Sequence, residues 1–168
     1  MTIRTLPWTA PLVGVALALL LVAPRPASGF DVFRYEEATI ADIHAAFKAK
    51  TLTCRALVQM YLDRIAAYDR QGPALNAIVV TNPDALQIAD ALDAKYAQSG
   101  PVGPLHCVPL IVEDNYETTD MPTSAGSLAL KGVMSKTDAF QIKRLRAAGA
   151  LMLAKSNTRS SRSTRWKP

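Results

Sequence analysis

The sequence predicts an α/β fold, in which helices alternate with the short strands of a mixed or largely parallel sheet. Segments of helical periodicity alternate with three short apolar runs, at residues 76–81, 108–112 and 150–154. These runs are continuously apolar, which is typical of strands that are covered on both faces. Of the 168 residues, 49% are hydrophobic and 20% are charged, a composition that excludes disordered, collagen-like and disulfide-scaffold proteins.

The first half of the fold is predicted to contain two helices and a strand. Thr39 and Asp42 resemble a capping box that opens the first helix. Thr53 caps a second helix, which apolar residues at helical spacing extend to about Tyr68. The β-branched run at 76–81 then predicts a buried strand.

The second half repeats this alternation. A third helix is predicted over 83–98, with a proline at its first turn, where a helix tolerates it. The strand at 108–112 is followed by a polar, irregular stretch. Asp138 is predicted to cap a fourth helix, which ends at Gly149 and leads into the strand at 150–154.

The amino-terminal segment has the pattern of an export signal. A basic start at Met1–Arg4 precedes a run of 14 residues without a charge, Ala10–Ala23. A membrane-spanning helix needs about 20 such residues, so this run is short. Small residues at 27–29 predict cleavage after Gly29, which makes residues 1–29 a signal peptide and the mature protein periplasmic or secreted, with no stable membrane anchor. The alternatives are an uncleaved anchor and a buried core helix.

The positive charge of the chain is concentrated at its two ends. The formal net charge is +5 and the calculated pI is 9.4, values that would suggest a nucleic-acid partner. Between the ends, however, 13 basic side chains face 14 acidic ones, so the folded part has no basic excess and no nucleic-acid partner is expected. Six basic residues account for the difference: Arg4, Arg25, Arg159, Arg162, Arg165 and Lys167.

The last eleven residues, 158–168, differ in character from everything before them. The segment TRSSRSTRWKP contains no aliphatic residue, no acid and no periodic pattern. We interpret it as an unfolded, arginine-rich tail, of the composition that a frameshift produces. The alternative is a tail that contacts phosphate or anionic lipid, although four charges give only a weak, salt-sensitive attachment.

The two cysteines, Cys54 and Cys107, leave two possibilities open. They can form one bridge, but the sequence favours two unpaired cysteines that pack as small hydrophobic residues. Neither has a histidine or a second cysteine at ligand spacing, so no metal site and no cofactor are predicted.

Five motifs follow one another in a fixed order along the chain. They are TLTCRALVQMYLDRIAAYD at 51–69, NAIVVTNPDALQIADALD at 76–93, GPLHCVPLIVEDN at 103–115, DMPTSAGSLAL at 120–130 and KTDAFQIKRLRAAGALMLAKSN at 136–157. This ordered series resembles the amidase signature family, which consists of serine hydrolases of carboxamides. The resemblance covers roughly residues 36–157 and implies that 30–157 is the N-terminal portion of an amidase domain, with a mixed sheet and flanking helices, incomplete in this chain.

The resemblance implies a catalytic triad of a nucleophilic serine, a bridging serine on a cis peptide, and a neutral lysine that accepts the proton. The lysine belongs to a strand-end motif that reads K-D-N in typical members, and here that position is Glu113. Both serines are expected in Gly/Ser-rich segments further downstream, which this chain does not contain. Glu113 is either a substitute base or an exposed carboxylate at a strand end, and the sequence favours the second. An inactive amidase-family protein is therefore expected.

Other positions match the family in ways that predict structure more than chemistry. Asp114 and Asn115 are expected to shape a turn through side-chain bonds to the backbone. His106 is expected to be a structural hydrogen-bonding residue, and Ser124 and Ser127 to bond to the backbone rather than to a substrate.

Cys107 departs from the family, which usually has glycine at this position. If the backbone there requires a positive φ, a cysteine adds strain.

Two further functions remain open at this point. A second chain that carries the serine segments would complete an active amidase acting on a small-molecule amide. Alternatively, the chain is a secreted, non-catalytic module whose basic tail binds an anionic surface.

Overall fold

The computed structural model describes residues 33–157, so the predicted signal peptide (1–29) and the arginine-rich tail (158–168) lie outside the described residues. The described part contains four helices, α1 (Ile40–Lys48), α2 (Cys54–Ile65), α3 (Ala85–Ser99) and α4 (Phe140–Ala147). Its three strands are β1 (Ile78–Thr81), β2 (Pro109–Glu113) and β3 (Leu151–Ser156). None of these helices is long and apolar enough to cross a bilayer.

The three strands form one mixed sheet in the order β1-β3-β2. β3 runs parallel to β2 and antiparallel to β1, which confirms the predicted mixed sheet. Leu151–Lys155 are all buried in the central strand, as its continuous apolar run predicts. β1 and β2 form the edges of the sheet in this part of the chain and are only half buried, so the expectation of burial on both faces holds for β3 alone.

Alternate side chains of β3 enter two separate cores, because successive residues of a strand point to opposite faces. Leu151 and Leu153 pack with buried residues of α1, α2 and α3. Met152, on the other face, packs with Val112 of β2 and Ile142 of α4. The sheet is therefore covered by helices on both faces, a layered α/β arrangement.

The first two helices begin where the sequence predicts. The backbone N–H of Asp42 donates to Thr39 Oγ1 at 3.2 Å and that of Thr39 donates to Asp42 Oδ2 at 2.9 Å, which completes the capping box. Hydrogen bonds from Thr39 lower the pKa of the Asp42 carboxyl. Thr53 caps α2, and the Asp93 carboxylate of α3 also accepts the N–H of Cys54 at 2.7 Å. The start of α2 is thereby attached to α3.

α2 continues as a π-helical turn over Ala66–Arg70, close to the predicted end at Tyr68. Within this turn the buried carboxylate of Asp69 accepts the N–H of Ala77 at 2.6 Å and that of Ile78 at 3.1 Å. The end of the helix is therefore fixed to the start of β1.

The predicted cap of α4 is wrong. The helix begins at Phe140 without a side-chain cap, because the Asp138 carboxylate is engaged elsewhere. It accepts the N–H of Thr119 at 2.9 Å and lies 3.0 Å from Nε of Arg146. Gly149 follows the helix with φ of 94°, as expected for a helix-terminating glycine.

Candidate active site

β2 and β3 are parallel, so their carboxyl ends meet at one edge of the sheet, where Glu113 pairs with Ser156. Glu113 is exposed, and within residues 33–157 its carboxylate has no hydrogen-bond or ion-pair partner. Its carbonyl oxygen accepts the N–H of Tyr116 at 3.0 Å, which starts a turn directly after the strand. The position that the family resemblance assigns to the base thus holds an open carboxylate at the end of β2.

Asp114, the next residue, is buried and binds the segment that contains Ser124. Its carboxylate accepts the hydroxyl of Ser124, the N–H of Ser124 at 3.2 Å and, at 3.5 Å, the N–H of Gly126. Asp114 therefore does shape the backbone through its side chain, as predicted, but across ten to twelve residues rather than locally.

The predicted bonds from the hydroxyls of Ser124 and Ser127 to the backbone are not found among residues 33–157. The hydroxyl of Ser124 binds the Asp114 carboxylate and not the backbone. The N–H of Ser127 donates to the carbonyl of Ser124 at 2.8 Å and closes a tight turn. Asn115 is exposed beside this segment.

Lys155 of β3 is a buried lysine that the sequence analysis missed. Its Nζ donates to the carbonyl of Tyr116 at 2.8 Å and to Thr123 Oγ1 at 2.5 Å. Burial lowers the pKa of the Lys155 ammonium, and the nearby carboxylates of Asp114, Asp120 and Glu117 oppose that shift. A lysine directly after a continuous apolar run was the available signal in the sequence.

A second polar cluster lies next to Lys155. The carboxylate oxygen Oδ2 of Asp120 accepts from the Asn82 amide and from Arg146 Nη2, each at 2.7 Å. Arg146 also faces Asp138, so one guanidinium of α4 bridges two carboxylates of the loop between β2 and α4. Oδ1 of Asp120 is buried without a hydrogen-bond partner among the described residues. We interpret this cluster as a support for the loop, because Asn82 also donates to the carbonyl of Met152 at 2.8 Å.

An open cleft of about 340 Å³ lies at the same edge of the sheet. Its lining includes Asp114, Ser124 and Gly126, together with two cationic residues, Arg70 and Lys131. Glu113 is not among the residues that line this cleft.

The expectation of two unpaired cysteines is wrong. Cys54 and Cys107 form a disulfide, with a Cα–Cα distance of 5.7 Å, and both residues are fully buried. Cys107 has φ of 54°, so the position at which the family usually has glycine does require a left-handed backbone here. No group of three or more His, Cys, Asp or Glu residues is placed to hold a metal ion within residues 33–157.

His106 is a buried, hydrogen-bonded residue, as predicted. Its Nδ1 accepts the N–H of Val102 at 3.2 Å, and its ring packs edge-on against Phe47. Its carbonyl oxygen lies 3.1 Å from Nε2 of His44. Burial, assisted by His44, lowers the pKa of the His106 imidazole, while Asp93 opposes the shift.

Comparison with known proteins gives one consistent result. The model of the family described as Amidase matches residues 56–164. A "probable amidase" of Arabidopsis thaliana is 43% identical over 132 residues, which cover 76% of this chain and 25% of that protein. One component of the glutamyl-tRNA(Gln) amidotransferase of Acidothermus cellulolyticus is 37% identical over 120 residues, which cover 71% of this chain and 23% of that protein.

A solved structure agrees with the sequence matches. The native peptide amidase of Stenotrophomonas maltophilia superposes with a TM-score of 0.70 at 46% identity, covering 73% of this chain and 25% of that one. The chain spans about a quarter of the length of the relatives it matches. The family match extends over more than half of the residues and includes both strands of the candidate site. On this basis the chain belongs to the amidase family.

Proposed function

We propose that this chain forms the N-terminal portion of an amidase fold in which a glutamate replaces the lysine that serves as the catalytic base. The chain therefore does not hydrolyse amides by itself. The observation that carries the proposal is Glu113 at the carboxyl end of β2, where the family places its lysine. A glutamate side chain is shorter than that of lysine, and its carboxylate has the opposite charge. It therefore cannot act as the neutral amine of a serine–serine–lysine relay.

Lys155 does not replace the missing amine. The register of β3 against β2 shifts by one residue at Leu153, which interrupts the alternation of faces along β3. Beyond this irregularity Lys155 pairs with Val112, one residue before Glu113, so it points to the face of the sheet opposite Glu113. It is fully buried, and its Nζ is held by the carbonyl of Tyr116 and by Thr123. A proton acceptor at this place would have no access to a substrate at the open edge of the sheet.

The substrate class we propose for the complete site is a small-molecule carboxamide. The relatives support this class, since one is a peptide amidase and another is a component of an amidotransferase. Nothing in the described residues indicates a particular amide, so the proposal stops at the class.

A second candidate is an active amidase that another chain completes. The observation that favours it is the exposure of large apolar side chains around the candidate site, beside two edge strands. Leu128 is 88% exposed, and five others are at least 40% exposed: Val79, Ile111, Leu130, Val133 and Met134. Such a surface is typical of an interaction site. In this arrangement the partner supplies both serines.

One experiment tests both candidates. The purified chain is assayed for ammonia release from a simple carboxamide, alone and after co-expression with the C-terminal three quarters of the Stenotrophomonas peptide amidase. We expect no turnover from the native chain, either alone or co-expressed with the C-terminal part. We expect turnover when the Glu113→Lys variant, which restores the amine, is co-expressed with that part. Glu117→Lys, which adds the same charge at an exposed position four residues away, is the matched control and is expected to remain inactive. Turnover by the native mixture would favour the second candidate.

We further propose that the mature protein is periplasmic or secreted. The basic start and the 14-residue apolar run support this location, and so does a disulfide in the folded part. Detection of a mature chain that begins at Phe30, in a periplasmic or culture fraction, tests it.

A further inference from the structure

A cavity of about 470 Å³ lies beside α1 and α3, near the amino end of β2. The candidate active site is at the other end of that strand, since His106 of the cavity precedes β2 by three residues and Glu113 ends it. Small-molecule sites usually have volumes of about 300–1,000 Å³ and combine apolar walls with a few polar groups. This cavity has that composition, with Phe47, Leu52 and Tyr96 beside Lys50, Asp93 and His106.

Three of the residues that line the cavity are aromatic and contact one another. The ring centroids of Phe47 and Tyr96 are 6.0 Å apart, those of Phe47 and His106 are 6.0 Å apart, and those of Tyr96 and His106 are 5.2 Å apart. Rings at such separations attract one another through the opposite partial charges of ring face and ring edge. A cavity with this lining favours a ligand that adds a further ring to the cluster.

His106 supplies a hydrogen-bond donor to the cavity. Burial lowers the pKa of its imidazole below the ordinary value of 6.5, so the ring is neutral at pH 7.5 and carries one proton. Nδ1 accepts the N–H of Val102 at 3.2 Å, which places that proton on Nε2.

The Nε2–H group of His106 has no hydrogen-bond partner within residues 33–157. It is also not one of the enclosed side-chain atoms that lack a partner in this part of the chain, so it is accessible. Since His106 is only 1% exposed, we infer that its access is through the cavity that it lines. A buried donor in this situation favours a ligand with an acceptor oxygen.

The charged groups of the lining balance each other, because Lys50 contributes one positive charge and Asp93 one negative charge. Both oxygens of Asp93 already accept hydrogen bonds, from the N–H of Cys54 at 2.7 Å and from that of Arg55 at 3.0 Å. The carboxylate is therefore engaged at the start of α2 rather than available for an ammonium group. A lining without net charge favours an uncharged ligand.

We propose that this cavity binds a small, uncharged aromatic molecule with an acceptor oxygen, which receives the Nε2–H of His106 while the ring packs against Phe47 and Tyr96. The site is separate from the candidate active site at the carboxyl end of β2. The inference does not depend on the chain having, or lacking, amidase activity.

The test measures binding of acetophenone, an aromatic ring with one carbonyl oxygen, to the full ¹⁵N-labelled chain at pH 7.5. We expect chemical-shift changes that saturate with concentration and that centre on the amides of Phe47 and Ala97 and on Nε2 of His106. α-Methylstyrene has the same shape but a CH₂ group in place of the oxygen, and it should bind about two- to tenfold more weakly. Cyclohexyl methyl ketone keeps the oxygen but lacks the aromatic ring, and it should also bind about two- to tenfold more weakly.

A pair of alanine substitutions on α3 locates the site. Ala97 is exposed and lines the cavity, so Ala97→Phe should fill it and abolish acetophenone binding. Ala91 is exposed on the same helix and does not line the cavity, so Ala91→Phe is the matched control and should bind as the native chain does. Equal melting temperatures of the two variants would show that both are folded.

The proposal is overturned if acetophenone causes no saturable shift changes, or if the changes centre on residues 113–126 of the candidate active site. It is also overturned if α-methylstyrene or cyclohexyl methyl ketone binds as tightly as acetophenone. Native affinity of Ala97→Phe, or an equal loss of binding in both alanine variants, would likewise contradict it.

Discussion

Glu113 and Lys155 lie on neighbouring parallel strands and project from opposite faces of the sheet. Lys155 pairs with Val112 in the ladder, and Glu113 pairs with Ser156. Lys155 is fully buried and hydrogen-bonded, whereas Glu113 is exposed. Lys155, the only fully buried lysine of the described part, is therefore a structural residue. It does not supply the amine that is absent at position 113.

Lys155 is predicted to be essential for stability. Replacement by alanine removes a buried aliphatic stem and leaves the carbonyl of Tyr116 and the hydroxyl of Thr123 without their charged donor. We expect Lys155→Ala to lower the free energy of unfolding by about 3 kcal/mol in urea denaturation. Lys143→Ala removes an exposed lysine of α4 and should change the same quantity by less than about 0.5 kcal/mol. Equal effects of the two substitutions would contradict the assigned role.

Asp114 is predicted to order the segment around Ser124. Asp114→Asn keeps the shape of the side chain, but its amide nitrogen cannot accept the donors that the carboxylate now binds. We expect a loss of about 1–3 kcal/mol in unfolding free energy and faster hydrogen exchange at the amides of Ser124 and Gly126. Asn115→Asp, at the exposed neighbouring position, serves as the control and should leave that exchange unchanged.

His106 is predicted to make the domain sensitive to mild acid. Its pKa in the folded state is lowered from the ordinary value of 6.5, so the unfolded chain binds the proton more readily. The contribution of neutral His106 to stability is complete above pH 6.5 and is lost as the pH falls through the folded-state pKa. Protonation of Nδ1 also breaks the bond from the N–H of Val102.

Urea denaturation at several pH values between 7.5 and 5.5 measures this effect. The native chain should lose stability toward acid, by at most about 1.4 kcal/mol per pH unit for one proton. His106→Asn retains an acceptor but does not titrate, so its stability should change much less over the same range. If His106→Asn lost as much stability toward acid as the native chain, groups other than His106 would be responsible for the acid sensitivity.

The left-handed backbone at residue 107 is expected to affect stability even when the disulfide is absent. In a Cys54→Ala background, Cys107→Gly should be more stable than Cys107→Ala by about 1 kcal/mol, because only glycine adopts φ of 54° without steric cost. The comparison of melting curves for these two variants checks it. Equal stability would show that the backbone relaxes to another conformation when the bond is absent.

Local signals in the sequence predicted most of the fold. The capping box at Thr39 and the continuous apolar run that became β3 depend on residues next to one another, and both are confirmed. The predicted cap at Asp138 failed for a tertiary reason, since that carboxylate accepts the N–H of Thr119 and faces Arg146 instead of the start of the helix.

The features that the sequence did not predict depend on distant parts of the chain. The Cys54–Cys107 bond joins residues 53 positions apart, and spacing alone did not indicate that they meet. Lys155 is buried only because the loop after β2 folds over it and presents Tyr116 and Thr123. Glu113 was identified as the residue at the position of the catalytic base only from the family motif. Neither hydrophobic periodicity nor composition distinguishes it from other glutamates.

The most direct measurement is the rate of ammonia release from a simple carboxamide by the purified native chain, compared with a preparation from cells that lack it. We predict no difference between the two preparations at any protein concentration. Turnover that increases in proportion to the concentration of the chain, and that Glu113→Gln abolishes, would show that the carboxylate at the end of β2 acts as a base and would contradict the proposed function.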